Sequence, residues 1–92
     1  MPSYVVETYL ARGQAGERAA CDKRARSAAD ELTRGMIPVR FDCSIYIPED
    51  EICFFVFDAP SGREAARAAQ RAELQPIRVV AALSSREEGL SP

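Results

Sequence analysis

The chain has 92 residues, a net charge of −2 at neutral pH, 47% apolar residues and 28% charged residues, the proportions of one globular domain with a modest core. No Lys/Arg block exceeds two residues, which argues against a nucleic-acid surface, and no apolar run approaches the roughly 20 residues that cross a bilayer. Histidine is absent, which removes the commonest general base and metal ligand and every triad built on one.

SYVVETYL, Ser3 to Leu10, is rich in β-branched and aromatic residues and stops at the two glycines of ARGQAG, which predicts a strand followed by a loop. From Gly16 to Arg34 the chain becomes alanine-rich and charged. Cys21, Ala25, Ala28 and Leu32 recur at helical steps and define one buried stripe. On the outer side Arg18–Asp22, Asp22–Arg26, Arg26–Asp30 and Asp30–Arg34 are opposite charges four apart, each pair worth ~0.2–0.5 kcal/mol if formed. Gly35 is expected as a left-handed C-cap, and Pro38 forbids continuation.

Val39–Ile47 and Glu51–Asp58 read as two strands joined by Pro48-Glu49-Asp50. Ser61 then starts a second helix, with Glu64 completing a reciprocal capping box worth about 1 kcal/mol through the serine. Ala65, Ala68, Ala69 and Ala72 are its buried stripe. After Pro76, Ile77–Ser84 supplies the last strand, residues 1–85 forming one domain and 86–92 a flexible polar tail.

The order β-α-β-β-α-β predicts an α+β, ferredoxin-like fold: a four-stranded antiparallel sheet with both helices on one face. Pairing Ile47 with Ile52 sets Ile45 against Phe54 and Cys43 against Val56. Strict alternation then places Phe41, Cys43, Ile45, Ile47, Ile52, Phe54 and Val56 on one face, and Arg40, Asp42, Ser44, Tyr46, Cys53, Phe55 and Phe57 on the other. Helices lined by alanine require bulky residues beneath them. Tyr46, Phe55 and Phe57 meet that need, with Tyr4, Val6 and Leu10. The expected open face therefore holds Val5, Glu7, Tyr9, Phe41, Cys43, Ile45, Ile47, Phe54 and Val56. Asp42 is out of place on the covered side.

An apolar sheet face left uncovered marks a partner surface or ligand groove. The expected partner is a second copy of the chain, giving a homodimer of the α+β-barrel type. A small apolar ligand could lie on the same face, where Glu7, Tyr9, Phe41, Cys43, Ile45 and Phe54 are the binding residues expected. Glu7 interrupts a greasy strand and is the one candidate catalytic acid/base. Its alternative is a carboxylate at a solvated or dimer rim. Arg40 is placed to form a structural ion pair with Asp42 or another carboxylate.

Other signals are weaker. The glycines Gly13 and Gly16 could direct amides at an anion, but ordinary turns use them equally. PEDE groups three acids without the alternation of a calcium loop, and reads as a solvated turn. Cys21, Cys43 and Cys53 are irregularly spaced and read as small hydrophobes in a reducing compartment. Since no signal peptide is apparent, the expected location is cytoplasmic.

YVVETYL, the alanine-rich helix, PVRFDCSIYIPEDEICFFVFDAPS and RVVAAL together resemble, over residues 3–84, a small bacterial domain family of unknown function. That family includes nickel-binding members with a ferredoxin-like fold that form dimers. The resemblance implies this fold and a dimer. The positions that match the relatives' metal-binding histidines are Glu7 and Cys43, and Phe55 stands where a cysteine is associated with the third strand. Glu73 stands where a glycine often precedes Leu-x-Pro. No metal or cofactor is therefore assigned. The expected function is a homodimeric ligand-binding or assembly module. The alternatives are a cofactor-independent oxygenase, cyclase or isomerase using Glu7, Tyr9, Cys43 and Tyr46, or a degenerate nickel-binding protein.

Overall fold

The structure is a computed structural model that describes residues 1–85; the expected tail at 86–92 lies outside the described residues. Strand β1 (Ser3–Tyr9) leads through a 3-10 stretch (Arg12–Glu17) into helix α1 (Arg18–Arg34). Strands β2 (Arg40–Ile47) and β3 (Ile52–Asp58) follow, then helix α2 (Gly62–Arg71) and strand β4 (Arg78–Ala82). The strands form one sheet in the order β2-β3-β1-β4, with every neighbouring pair antiparallel. This is the ferredoxin-like α+β arrangement. No helix among the described residues is long and apolar enough to cross a membrane.

The two helices cover one side of the sheet because alanine leaves little else to bury. Ala25, Ala28, Ala29 and Leu32 of α1, and Ala65, Ala68 and Ala69 of α2, are buried. Facing them are Val6, Cys53, Phe55 and Phe57, the largest fully buried side chains. Small residues above and rings below fill the layer, each buried Phe contributing ~2–3 kcal/mol. Tyr46 packs at the margin and donates its hydroxyl to the Leu10 carbonyl at 2.8 Å.

One residue breaks the expected alternation. The register runs Ile47↔Ile52, Ile45↔Phe54 and Cys43↔Val56, as read from the sequence, but then shifts so that Phe41 opposes Phe57 and Arg40 opposes Asp58. Asp42 is the extra residue of a β-bulge. It exchanges the faces of its neighbours: Phe41, expected on the open face, is 7% exposed and joins the core. Its ring lies 5.3 Å from that of Phe57 and 6.3 Å from that of Phe55, with the Arg26 guanidinium 5.4 Å above it. The gain is a third aromatic ring under α1.

The helix ends also differ from expectation in one respect. Ser61 caps α2 by accepting from the Glu64 amide, as its sequence requires. At the end of α1, however, Gly35 has φ −86° and Met36 takes the left-handed conformation at φ 73°. Ile37 N–H then reaches Leu32 O and Met36 N–H reaches Thr33 O, the paired bonds of a Schellman closure. The end of α2 repeats it: Glu73 has φ 60°, with Leu74 N–H on Ala69 O and Glu73 N–H on Gln70 O. None of the four charge pairs expected along α1 closes within 4.0 Å.

Two stability measurements follow from these geometries. Glu73→Gly removes a side chain from a conformation that glycine alone adopts freely, and is expected to stabilise by ~0.5–1 kcal/mol, raising Tm by a few degrees. Phe41→Ala is expected to lose about 3–5 kcal/mol in chemical denaturation; a loss of about 1 kcal/mol or less would put Phe41 back on the open face.

Candidate functional site

The face opposite the helices can be written as rows across the sheet, from β2 to β4. One row reads Cys43, Val56, Val5, Val80; the next Ile45, Phe54, Glu7, Arg78; the next Ile47, Ile52, Tyr9. In these three rows the β2–β3 half is apolar apart from the Cys43 thiol, with Glu7 and Arg78 toward β4, and the Arg40–Asp58 pair closes the end of β2–β3. Several of these side chains are open to solvent: Tyr9 is 61% exposed, Ile45 53%, and Ile47 and Val80 37% each. Phe54 and Val56 are half-buried by their neighbours in the same sheet. The result is an oily strip with no second layer over it among the described residues.

Each charge on this face is answered within the same chain. Arg78 Nε donates to Glu7 Oε1 at 2.8 Å across the β1–β4 pair. At the sheet end, Asp58 accepts from Ser3 Oγ at 2.9 Å through one oxygen and from Arg40 through the other. Bonding to Asp58, together with its charge, raises the Arg40 pKa above its ordinary value. Tyr9 donates its hydroxyl to Glu51 Oε1 at 3.4 Å, and the second Glu51 oxygen accepts the Arg12 amide at 2.9 Å. That carboxylate ties the hairpin turn to the start of the 3-10 stretch, so of the three acids of PEDE only Glu49 and Asp50 are exposed.

Five of the six expected binding residues, Glu7, Tyr9, Cys43, Ile45 and Phe54, share the open face. Phe41 does not, because the bulge at Asp42 turns it inward. Nor do the four groups of the enzymatic alternative converge: Tyr46 lies on the helix side, and desolvation raises its phenol pKa. Glu7 and Cys43 stand on β1 and β2, with β3 between them. Among the described residues no group of three His, Cys, Asp or Glu is placed to hold a metal.

Sequence reasoning missed Arg78 and Asp58. Arg78 is signalled only by being the one charged residue in the last strand, and its partner depends on the β1–β4 register. Asp58 becomes the partner of Arg40 only in the bulged register. The sole clue to that bulge was an aspartate at a position that strict alternation would have covered.

The cysteines differ by burial, not spacing. Cys43 is exposed, Cys21 half-buried and Cys53 buried, and none of the three is in a disulfide among the described residues. Burial pushes the Cys53 thiol from its ordinary 9.0 up to about 11. No family model, no curated protein and no solved structure matches this chain.

In the native protein at about pH 8 a thiol-reactive disulfide reagent is expected to label Cys43 rapidly and Cys53 only after unfolding. The same burial makes stability pH-dependent. Below the ordinary thiol pKa of 9.0 both states are neutral at Cys53 and its contribution is complete. As pH rises toward about 11 the unfolded chain ionises first, and stability falls. Denaturation at a series of pH values, compared with Cys53→Ala, checks that difference.

Proposed function

We propose that this protein is a homodimeric assembly module in which two copies meet through their open sheet faces. The observation that carries this reading is the exposure of Tyr9, Ile45, Ile47 and Val80 on the sheet face that the helices do not reach. Monomeric proteins rarely leave such contiguous apolar surface in water.

Charge favours a second copy over an unrelated partner. A two-fold contact sets a patch against itself, so an isolated charge near its centre would meet its own like. Here Glu7 is neutralised by Arg78, and Asp58 by Arg40, before any partner arrives. A face that is apolar from Cys43 to Ile47 and across to Phe54, and neutralised wherever it carries charge, can meet its own image without repulsion. The space beside Phe54 is where a small apolar ligand would lie between two such sheets. Free thiols suit a reducing, cytoplasmic setting.

Light scattering coupled to size exclusion tests the reading. The expected mass is twice the chain's 10.1 kDa, and Ile45→Glu, which sets a charge into the oily half, is expected to return it to the single-chain value. A wild-type chain that stays monomeric at about 100 µM, weaker than a standard-size interface would allow, overturns the proposal.

A further inference from the structure

The helix layer has a charge of its own. Residues 18–34 and 62–71 carry eight Arg/Lys against four Asp/Glu, a surplus of four positive charges, while the remaining residues carry four against ten. A chain that is net acidic thus turns a basic surface outward, on the side opposite the open sheet face.

The surplus is concentrated on α2. Its outward positions hold Arg63, Arg67, Gln70 and Arg71, all exposed. Its one acid, Glu64, is 22% exposed and meets Arg67 only at 4.0 Å; its amide serves the Ser61 cap, but its carboxylate does not return the bond of a capping box. Arg71 is paired with Glu31 at 2.7 Å. Arg63, and Lys23 on the facing turn of α1, form no ion pair among the described residues. Shallow hollows follow the same ridge: one of about 490 Å³ lined by Arg63, Ala66, Arg67 and Gln70, another of about 280 Å³ between the helices beside Lys23, Arg24 and Arg71.

Helix stability does not account for Arg63 and Arg67, whereas Arg71, in the last turn of α2, suits the helix dipole. Arginine offers a helix no more than glutamine or glutamate does, and Arg63 stands in the first turn of α2, where the helix dipole disfavours a cation. The ridge is also held in place: Arg24 Nε donates to the Ala72 carbonyl at 2.9 Å, fastening α1 to the end of α2.

We propose that the outward ridge of α2, built on Arg63, Arg67 and Arg71 with Lys23 beside it, docks an acidic segment of a partner protein lying in extended conformation. Arginines four apart on a helix repeat every ~6 Å along the axis, and alternate side chains of an extended chain repeat every ~6.6 Å. A row of alternate carboxylates therefore stays in step with the ridge, where Arg63 and Arg67 can each take one in fork geometry while Arg71 also holds Glu31. A nucleic acid fits less well. The ridge has no aromatic side chain on which a base could stack.

Fluorescence anisotropy with a labelled peptide of alternating Glu and Ser, about 12 residues long, tests the proposal in about 20 mM salt, where surface charges are weakly screened. Saturable binding is expected, absent for the Gln/Ser peptide and weakened about tenfold or more by R63E/R67E. Circular dichroism checks each variant. Should R63E/R67E fail to fold, R63Q/R67Q carries the test, with an expected loss of about threefold. The Ile45→Glu chain is expected to bind the peptide as well as wild type, which separates this result from the dimer's. No saturable binding, binding indifferent to the arginine substitutions, or equal or tighter binding of a single-stranded RNA of matched charge overturns the proposal.

Discussion

The structure depends on a volume constraint. Two helices whose inner faces are almost all alanine can approach a sheet closely only if the sheet supplies the bulk. Phe55 and Phe57 supply most of it, and Val6 and Cys53 close the centre. The demand is strong enough to distort a strand: β2 bulges at Asp42 so that Phe41 can join the two rings. An extra residue in an edge strand loses little pairing, because only one side of that strand has a neighbour.

The same bulge organises the polar end of the opposite face. By turning Phe41 inward it turns Arg40 outward, directly across from Asp58, which also accepts from Ser3. Three residues from three adjacent strands are thereby linked where the sheet would otherwise end in an unpaired, 7%-exposed carboxylate. Packing on one side of the sheet has set the electrostatics of the other.

The molecule consequently has two unlike exteriors. The sheet side is apolar and internally neutralised, which suits a contact with its own image. The helix side is cationic, fastened by Arg24 to the end of α2, and suits an acidic partner. Because the two lie on opposite sides of one thin domain, occupation of either leaves the other accessible.

The sequence by itself determined the element order, the buried stripes of both helices, the Ser61 cap and the hairpin register from Ile47 back to Cys43. All of these follow from periods and caps that act within a few residues. It also determined eight of the nine residues expected on the open face, since β1 and β3 alternate without interruption and β2 does so from Cys43 to Ile47. Only the tertiary structure decided the bulge at Asp42, the inward turn of Phe41 and the pairings Glu7–Arg78 and Arg40–Asp58. It likewise decided which residues, Met36 and Glu73 and not Gly35, take the left-handed positions at the helix ends. The reason is range. Alternation is a local rule, but whether a strand obeys it to its end is settled by the space beneath a helix far away in sequence, and an ion pair between strands exists only once their register has been set.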